Sequence, residues 1–299
     1  MADFLDDQPD PQMYWSESKY DADNAPDGTT GNADDPPLLQ LDGATLRLGA
    51  QAFGPFTLKV RAGGRIAVLG CSGAGKSTLL RLLAGELQPS RGSAEFDGAP
   101  LVRRNGRALA LRRAVLPQST PVGFGLPVPL VVGLGRVVRD VDPDLARITT
   151  EALRMTRALH LRERSFDTLS GGEQARVQLA RVFAQLWDVR GGLLLVDEPL
   201  AALDPGLQQE LLDRMLAWAQ QRQHAVVAIL HDINQALAGF DRLWLVEQGR
   251  IAQDLHSSRA VVPHLERLYG LRLRCVSMVA GALAVVSLGR VAEPEPEPA

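Results

Sequence analysis

Gly70-Cys71-Ser72-Gly73-Ala74-Gly75-Lys76-Ser77-Thr78 is the stretch on which the reading of this chain turns. It fits the pattern G-x-x-x-x-G-K-[ST]. Just upstream, Ile66-Ala67-Val68-Leu69 reads as a short buried strand, and from Ser77 to Leu83 a helix with one apolar face begins. A glycine-rich turn between a strand and a helix N-terminus aims backbone N–H groups at phosphate oxygens. In that setting Lys76 is expected to reach the outer phosphates and the Ser77 hydroxyl to ligate Mg²⁺. The stretch therefore predicts a nucleoside triphosphate site.

Leu193-Leu194-Leu195-Val196 is an unbroken apolar run ending in Asp197-Glu198. Such a run marks a strand buried on both faces of a parallel sheet. A carboxylate at its C-terminal end can hold the Mg²⁺ shell, and that role falls to Asp197. Glu198, one residue on, is placed to act as general base toward an attacking water.

Leu169-Ser170-Gly171-Gly172-Glu173-Gln174 precedes a helical stretch from Ala175 to Trp187. Small residues at a helix start make a second anion-seeking N-terminus. One nucleotide in a phosphate loop does not need both. Here the sequence resembles the ATP-binding-cassette (ABC) ATPases, whose signature motif Leu169-Ser170-Gly171-Gly172-Glu173 matches. Gln118 in Val115-Leu116-Pro117-Gln118 sits where the family's Q-loop glutamine belongs, Ala202-Leu203-Asp204 matches the D-loop, and His231 matches the switch histidine. The resemblance spans residues 38–255. It implies an α/β fold: a P-loop NTPase of ABC type, with a RecA-like core, an antiparallel β subdomain and a helical subdomain inserted at about residues 119–169. It implies ATP and Mg²⁺ as cofactors, with Gln118 added to Ser77 and Asp197 around the metal. It also implies a head-to-tail homodimer, in which Lys76, Ser77 and Thr78 act in cis while Ser170, Gly171 and Gly172 act on the partner's nucleotide. Asp204 would signal across that dimer, Gln118 would report nucleotide state to the helical subdomain, and His231 would contact the γ-phosphate.

Composition agrees with a soluble globular body: 45% of residues are hydrophobic and 22% charged. The net charge of −3 is unevenly spread. Residues 1–37 are rich in aspartate with Pro, Gly and Asn among them, too polar to bury a core, and are expected to be disordered. That segment lacks the basic and apolar regions of a secretory signal. The Glu-Pro run within residues 291–299 reads as a solvated tail. Without these tails the body is mildly basic, an excess too small to argue for nucleic acid, and no nucleic-acid partner is expected. Cys71 lies inside the phosphate loop and Cys275 in an apolar stretch, a usage that fits a reducing compartment. The longest apolar candidate, Cys275 to Leu288, is shorter than the ~20 residues needed to span a bilayer. It reads as a hairpin turning at Ala280-Gly281.

Further elements follow from pattern. Residues 38–48 and 53–60 read as antiparallel strands joined through Gly49 and Gly54-Pro55, and residues 120–134, rich in Pro and Gly, read as loop. Leu145, Ile148, Ala152, Met155 and Leu159 share one face of a helix expected over residues 143–161. Residues 226–230 and 243–246 read as core strands and 207–221 as a helix. The expected division is an ATPase domain over residues 38–258 and a C-terminal extension over 259–290. Two features depart from the family pattern. No aromatic residue occurs near Leu46 to Gly49 to stack on adenine, leaving Phe53, which reads better as core packing. Val128-Pro129-Leu130-Val131-Val132 lacks the acidic residues often found there.

Within the family, the wording Arg113-Ala114-Val115-Leu116-Pro117-Gln118, residues 176–186, His231-Asp232-Ile233-Asn234-Gln235-Ala236 and Leu268-Tyr269-Gly270 most resembles the ATP-binding subunits of bacterial hemin importers. The alternatives are a siderophore or cobalamin importer and an exporter. The resemblance implies a peripheral subunit on the cytoplasmic face of the inner membrane, bound to a two-copy permease and fed by a periplasmic binding protein. Translation or DNA-repair cassettes bring two cassettes per chain or a coiled-coil insertion, and neither is present.

Overall fold

The computed structural model describes residues 36–101, 106–118, 125–277 and 283–290. The acidic first stretch, the Glu-Pro tail and the Ala280-Gly281 turn fall outside these residues. Two sheets and a set of helices build the body. The first sheet is antiparallel, in the order β2 (Gln51–Val60), β1 (Leu39–Leu48), β4 (Arg91–Phe96), β5 (Ala99–Pro100). The second is six-stranded, in the order β10 (Arg250–His256), β9 (Arg242–Glu247), β3 (Arg65–Leu69), β8 (Ala225–Ile229), β7 (Leu193–Asp197), β6 (Arg113–Leu116). Its strands are parallel except at the β9–β10 edge.

The central strands are apolar throughout because both faces are covered; every residue of β7 and of β8 is buried. The period-two alternation divides them between two cores. Ala67, Leu69, Leu194, Val196, Val226 and Ala228 face one core, which includes the helical residues Val177, Phe183, Leu211 and Trp218. Ile66, Val68, Leu193, Leu195, Val227 and Ile229 face the other, shared with α1 (Lys76–Leu83), α2 (Gly106–Ala110) and the antiparallel sheet.

The helical region lies against α5 (Gly171–Leu186). Here the chain departs from the expected loop: Val128–Gly133 forms a helix, α3. The signal was present in the sequence. Pro127 and Pro129 stand at the start, where a missing N–H costs nothing, and Val128, Val131 and Val132 follow at helical spacing and are fully buried. The proline content, taken as a mark of loop, is that of a helix N-terminus. Residues 119–124 lie outside the description. The helix expected over 143–161 is shorter: α4 spans Leu145–Met155 and a 3₁₀ turn spans Leu159–Leu161. Arg157, in the left-handed region at φ 52°, separates the two. Gly135 approaches α5 closely, since a Cβ there would lie 2.3 Å from the Arg181 carbonyl oxygen. Beside it Arg136, 3% exposed, donates to Asp142, to Asp188 at 3.0 Å and to the Ala184 carbonyl at 2.9 Å. The helical region is thereby fastened to the C-terminal half of α5.

Gly54-Pro55 lies inside β2, where β1 and β2 shift register, and does not help to join them; the turn is at Gly49-Ala50. A Cβ at Gly54 would lie 2.4 Å from the Ala44 carbonyl oxygen, and the Gly54 N–H donates to Gly249 at 2.7 Å, tying the antiparallel sheet to the β9–β10 turn. After α6 (Pro205–Gln221) and α7 (Ile233–Gly239), the chain ends in α8 (Val262–Tyr269) and a hairpin of β11 (Leu271–Ser277) and β12 (Leu283–Arg290). Among the described residues no helix is long and apolar enough to cross a membrane.

Candidate functional site

The phosphate loop runs from the end of β3 to the start of α1. Gly75 stands at the N-cap of α1 with φ 103° and Gly73 has φ 76°, conformations that favour glycine. Gly75 also has no room for a side chain, because a Cβ would lie 3.0 Å from the Phe53 ring and 3.1 Å from Gly249. Phe53 is thus a buried support beneath the loop. Lys76 is 7% exposed, and its Nζ donates to the carbonyls of Gly70 at 2.8 Å and Cys71 at 3.0 Å. Cys71, Ser72 and Gly73 are exposed, and Ala74 is buried. Thr78 lies in the first turn of α1 and is partly buried.

Asp197 ends β7 beside the loop and is 4% exposed. Burial raises its pKa above the ordinary carboxylate value, opposed by a hydrogen bond with the Ser77 hydroxyl and by the Lys76 charge. Its Oδ1 is buried without a hydrogen-bond partner. A buried, unpartnered carboxylate oxygen beside a hydroxyl suits a hard cation with oxygen ligands. Among the described residues no group of three or more His, Cys, Asp or Glu side chains could hold a metal alone. Mg²⁺ takes one or two protein ligands and completes its shell with phosphate oxygens and water, so a hydroxyl and one carboxylate would be enough to hold it.

Glu198 follows at the strand exit with φ 50°, a left-handed conformation that is strained for a residue other than glycine. Its N–H is held by the Ile229 carbonyl at 3.1 Å. Two side chains from distant segments converge on its carboxylate. Gln118, just past β6, donates Nε2 to Oε2 at 3.0 Å, and His231, just past β8, places Nε2 against Oε1. The Glu198 side chain is 14% exposed and that of His231 59% exposed. The three loops leave the C-terminal ends of neighbouring parallel strands, the edge at which ligands bind in open α/β sheets.

Ser170 caps α5 through a reciprocal capping box with Glu173. Its hydroxyl accepts the Glu173 N–H at 3.3 Å, and the Glu173 carboxylate accepts the Ser170 N–H at 2.8 Å. Gly171 has open space where a side chain would be, whereas Gly172 packs against Ala202 and Leu203. Asp204 caps α6 by accepting the Leu207 N–H at 3.0 Å. The structure thus joins the signature start to the D-loop. Among the described residues, Ser170, Gly171 and Gly172 make no hydrogen bond to residues 70–78; the Ser170 side chain is engaged with Glu173.

The sequence reading gave no role to a third contact at the loop. The last turn of α8 touches Gly70 and Cys71, with the Gly70 N–H donating to the Tyr269 hydroxyl at 3.2 Å. The only sequence signal was the wording Leu268-Tyr269-Gly270, which does not say what Tyr269 meets.

The family model for ABC transporters matches residues 53–201. A hemin import ATP-binding protein of Methylobacillus flagellatus is 44% identical over 220 residues, covering 72% of this chain and 82% of that protein. The protein of the same description from Pseudomonas putida is 42% identical over 238 residues, covering 78% and 93%. Among solved structures, an inward-facing ABC transporter of metal-chelate type superposes with a TM-score of 0.69 at 25% identity, covering 84% of this chain and 97% of the other. A dimeric bacterial ABC transporter cassette gives a TM-score of 0.66 at 21% identity, covering 74% and 99%, and shares the fold. With its phosphate loop, its Asp197-Glu198 strand end and relatives matched over most of their length, the chain belongs to the ABC transporter family, as an ATP-binding-cassette ATPase.

Proposed function

We propose that this protein is the ATP-hydrolysing subunit of a hemin importer, working as a homodimer beneath a two-copy permease. The observation that carries the hydrolytic part is the convergence of Gln118 and His231 on Glu198, one residue beyond the buried Asp197. Lys76 exchanges its carbonyl partners at Gly70 and Cys71 for the outer phosphates of ATP. The backbone N–H groups from Gly73 to Thr78 cradle the remaining oxygens. Ser77 and Asp197, with Gln118, would hold Mg²⁺, which would supply positive charge to screen the phosphates. Glu198 takes the proton of the attacking water, and His231, beside it, contacts the γ-phosphate.

Ser170, Gly171 and Gly172 act on the nucleotide held by the partner copy. The presence of two anion-seeking helix starts in one chain supports this reading, since one phosphate loop accounts for only one of them. Losing the γ-phosphate removes what holds the two copies together, and Asp204, next to Gly172 through the D-loop, carries the change across. Residues 38–258 form the ATPase body, residues 119–169 the part that answers to the permease, and residues 259–290 a C-terminal extension. The hemin assignment rests on relatives over 40% identical and named for hemin import. On this reading the protein works at the cytoplasmic face of the bacterial inner membrane, and a periplasmic binding protein delivers the cargo. Reconstitution in vesicles with the co-purifying permease tests the proposal. ATP-dependent hemin uptake is expected; uptake of a ferric siderophore or cobalamin in its place would reassign the cargo, and outward transport would make it an exporter.

A further inference from the structure

We infer that the last turn of α8 is a positioning device for Lys76, with Tyr269 as its working residue. The inference rests on the placement of ATP phosphates at residues 70–78. Lys76 is held by the carbonyls of two consecutive residues, Gly70 and Cys71. The same two residues are gripped from the other side by α8. The Gly70 N–H donates to the Tyr269 hydroxyl at 3.2 Å, and the Cys71 thiol donates to the Leu268 carbonyl at 3.4 Å. Gly70 has little freedom otherwise, since a Cβ there would lie 2.4 Å from the Val246 carbonyl oxygen of β9. The pair is therefore clamped between a core strand and a helix end, and its carbonyls set where the lysine waits.

The clamp is itself anchored. Gly270 ends α8 in the left-handed region at φ 64°, which leaves Tyr269 as the last helical residue facing the loop. Glu266 accepts the Leu273 N–H at 2.7 Å and folds β11 back on α8. On the far side of the hairpin, Asn234 of α7 pairs with both backbone groups of Val285: Oδ1 accepts its N–H at 2.7 Å and Nδ2 donates to its carbonyl at 3.2 Å. Asn234 lies three residues beyond His231, at the second position of α7. The C-terminal unit thus spans the phosphate loop and the His231 turn, the two segments expected to face the γ-phosphate. Burial pushes the Tyr269 hydroxyl up to about 12, so it remains a neutral partner for Gly70 at working pH. Packing alone would be served by phenylalanine; the hydroxyl is explained by the Gly70 peptide.

Tyr269→Phe keeps the ring and deletes the bond. In the permease-bound ATPase, KM for ATP is expected to rise about three- to ten-fold, the range for one hydrogen bond, with kcat changed less than about two-fold. Maleimide labelling of Cys71 in the nucleotide-free protein should quicken in the same variant, because the neighbouring Leu268 carbonyl is less firmly held. Tyr269→Ala should add a drop in thermal midpoint. Unchanged KM and unchanged Cys71 labelling in a Tyr269→Phe protein that hydrolyses ATP would overturn the inference, as would a loss confined to thermal stability. Failure of the phosphate-loop reading looks different: Lys76→Ala would keep the parental affinity for ATP.

Discussion

Glu198 is the side chain proposed to activate the attacking water. It sits in a strained left-handed conformation, and both carboxylate oxygens are engaged, by Gln118 and by His231. A residue held this way has its orientation set before the substrate arrives, as a general base requires. Glu198→Gln keeps the shape but replaces one acceptor oxygen by a donor and removes the basicity. Turnover is expected to fall by ~10²-fold or more with ATP binding intact, measured as phosphate release alongside nucleotide binding. Lys76 should fail differently. Its ammonium makes charge-assisted hydrogen bonds, so Lys76→Ala is expected to weaken ATP binding by about ten-fold or more. Equal affinities by equilibrium binding would contradict its role. These residues were legible in the sequence because each lies in a short contiguous motif whose chemistry depends on local spacing. Tyr269 was not, because its partner Gly70 is 199 positions away and no local pattern records that meeting.

At the scale of elements, the strands were read correctly where burial on both faces makes them continuously apolar, as in β7 and β8. Helix α3 is not legible from its proline content alone, because the same prolines that suit a loop also suit a helix start. The helical region depends on one buried charge. Arg136 joins Asp142, Asp188 and the end of α5. Removing one partner of a buried charge cluster leaves the others uncompensated, so Arg136→Ala should cost about 3 kcal/mol in urea unfolding. A second element carries a pH dependence. His224, fully buried at the start of β8, accepts the Gly192 N–H through Nδ1 at 2.9 Å. Burial, reinforced by the Arg222 charge, lowers its pKa from 6.5 to about 4. A histidine lowered in the folded state binds its proton first in the unfolded chain. Its contribution to stability is therefore complete above pH ~6.5 and is lost as pH falls toward ~4. Between pH 7.5 and 5 the loss from this residue is on the order of 2 kcal/mol. His224→Gln should flatten that part of the stability profile; an equally steep profile would remove His224 as the cause.

For the whole molecule, the fold class followed from the order of the motifs along the chain, since a phosphate loop, an acidic strand end and a histidine after the next strand define one parallel sheet. The way the C-terminal unit braces that sheet did not follow, because a short amphipathic helix and a hairpin carry no signal of what they pack on. The presence of two anion-seeking helix starts in one chain leads to the central proposal: ATP is held between two copies, by the phosphate loop of one and the signature start of the other. Sedimentation of the Glu198→Gln protein with Mg²⁺ and ATP tests it most directly. The account predicts a dimer with ATP and a monomer without it, and predicts that adding Ser170→Arg abolishes the dimer while each chain still binds ATP. A Glu198→Gln chain that stays monomeric at saturating ATP, or a dimer indifferent to Ser170→Arg, would contradict it.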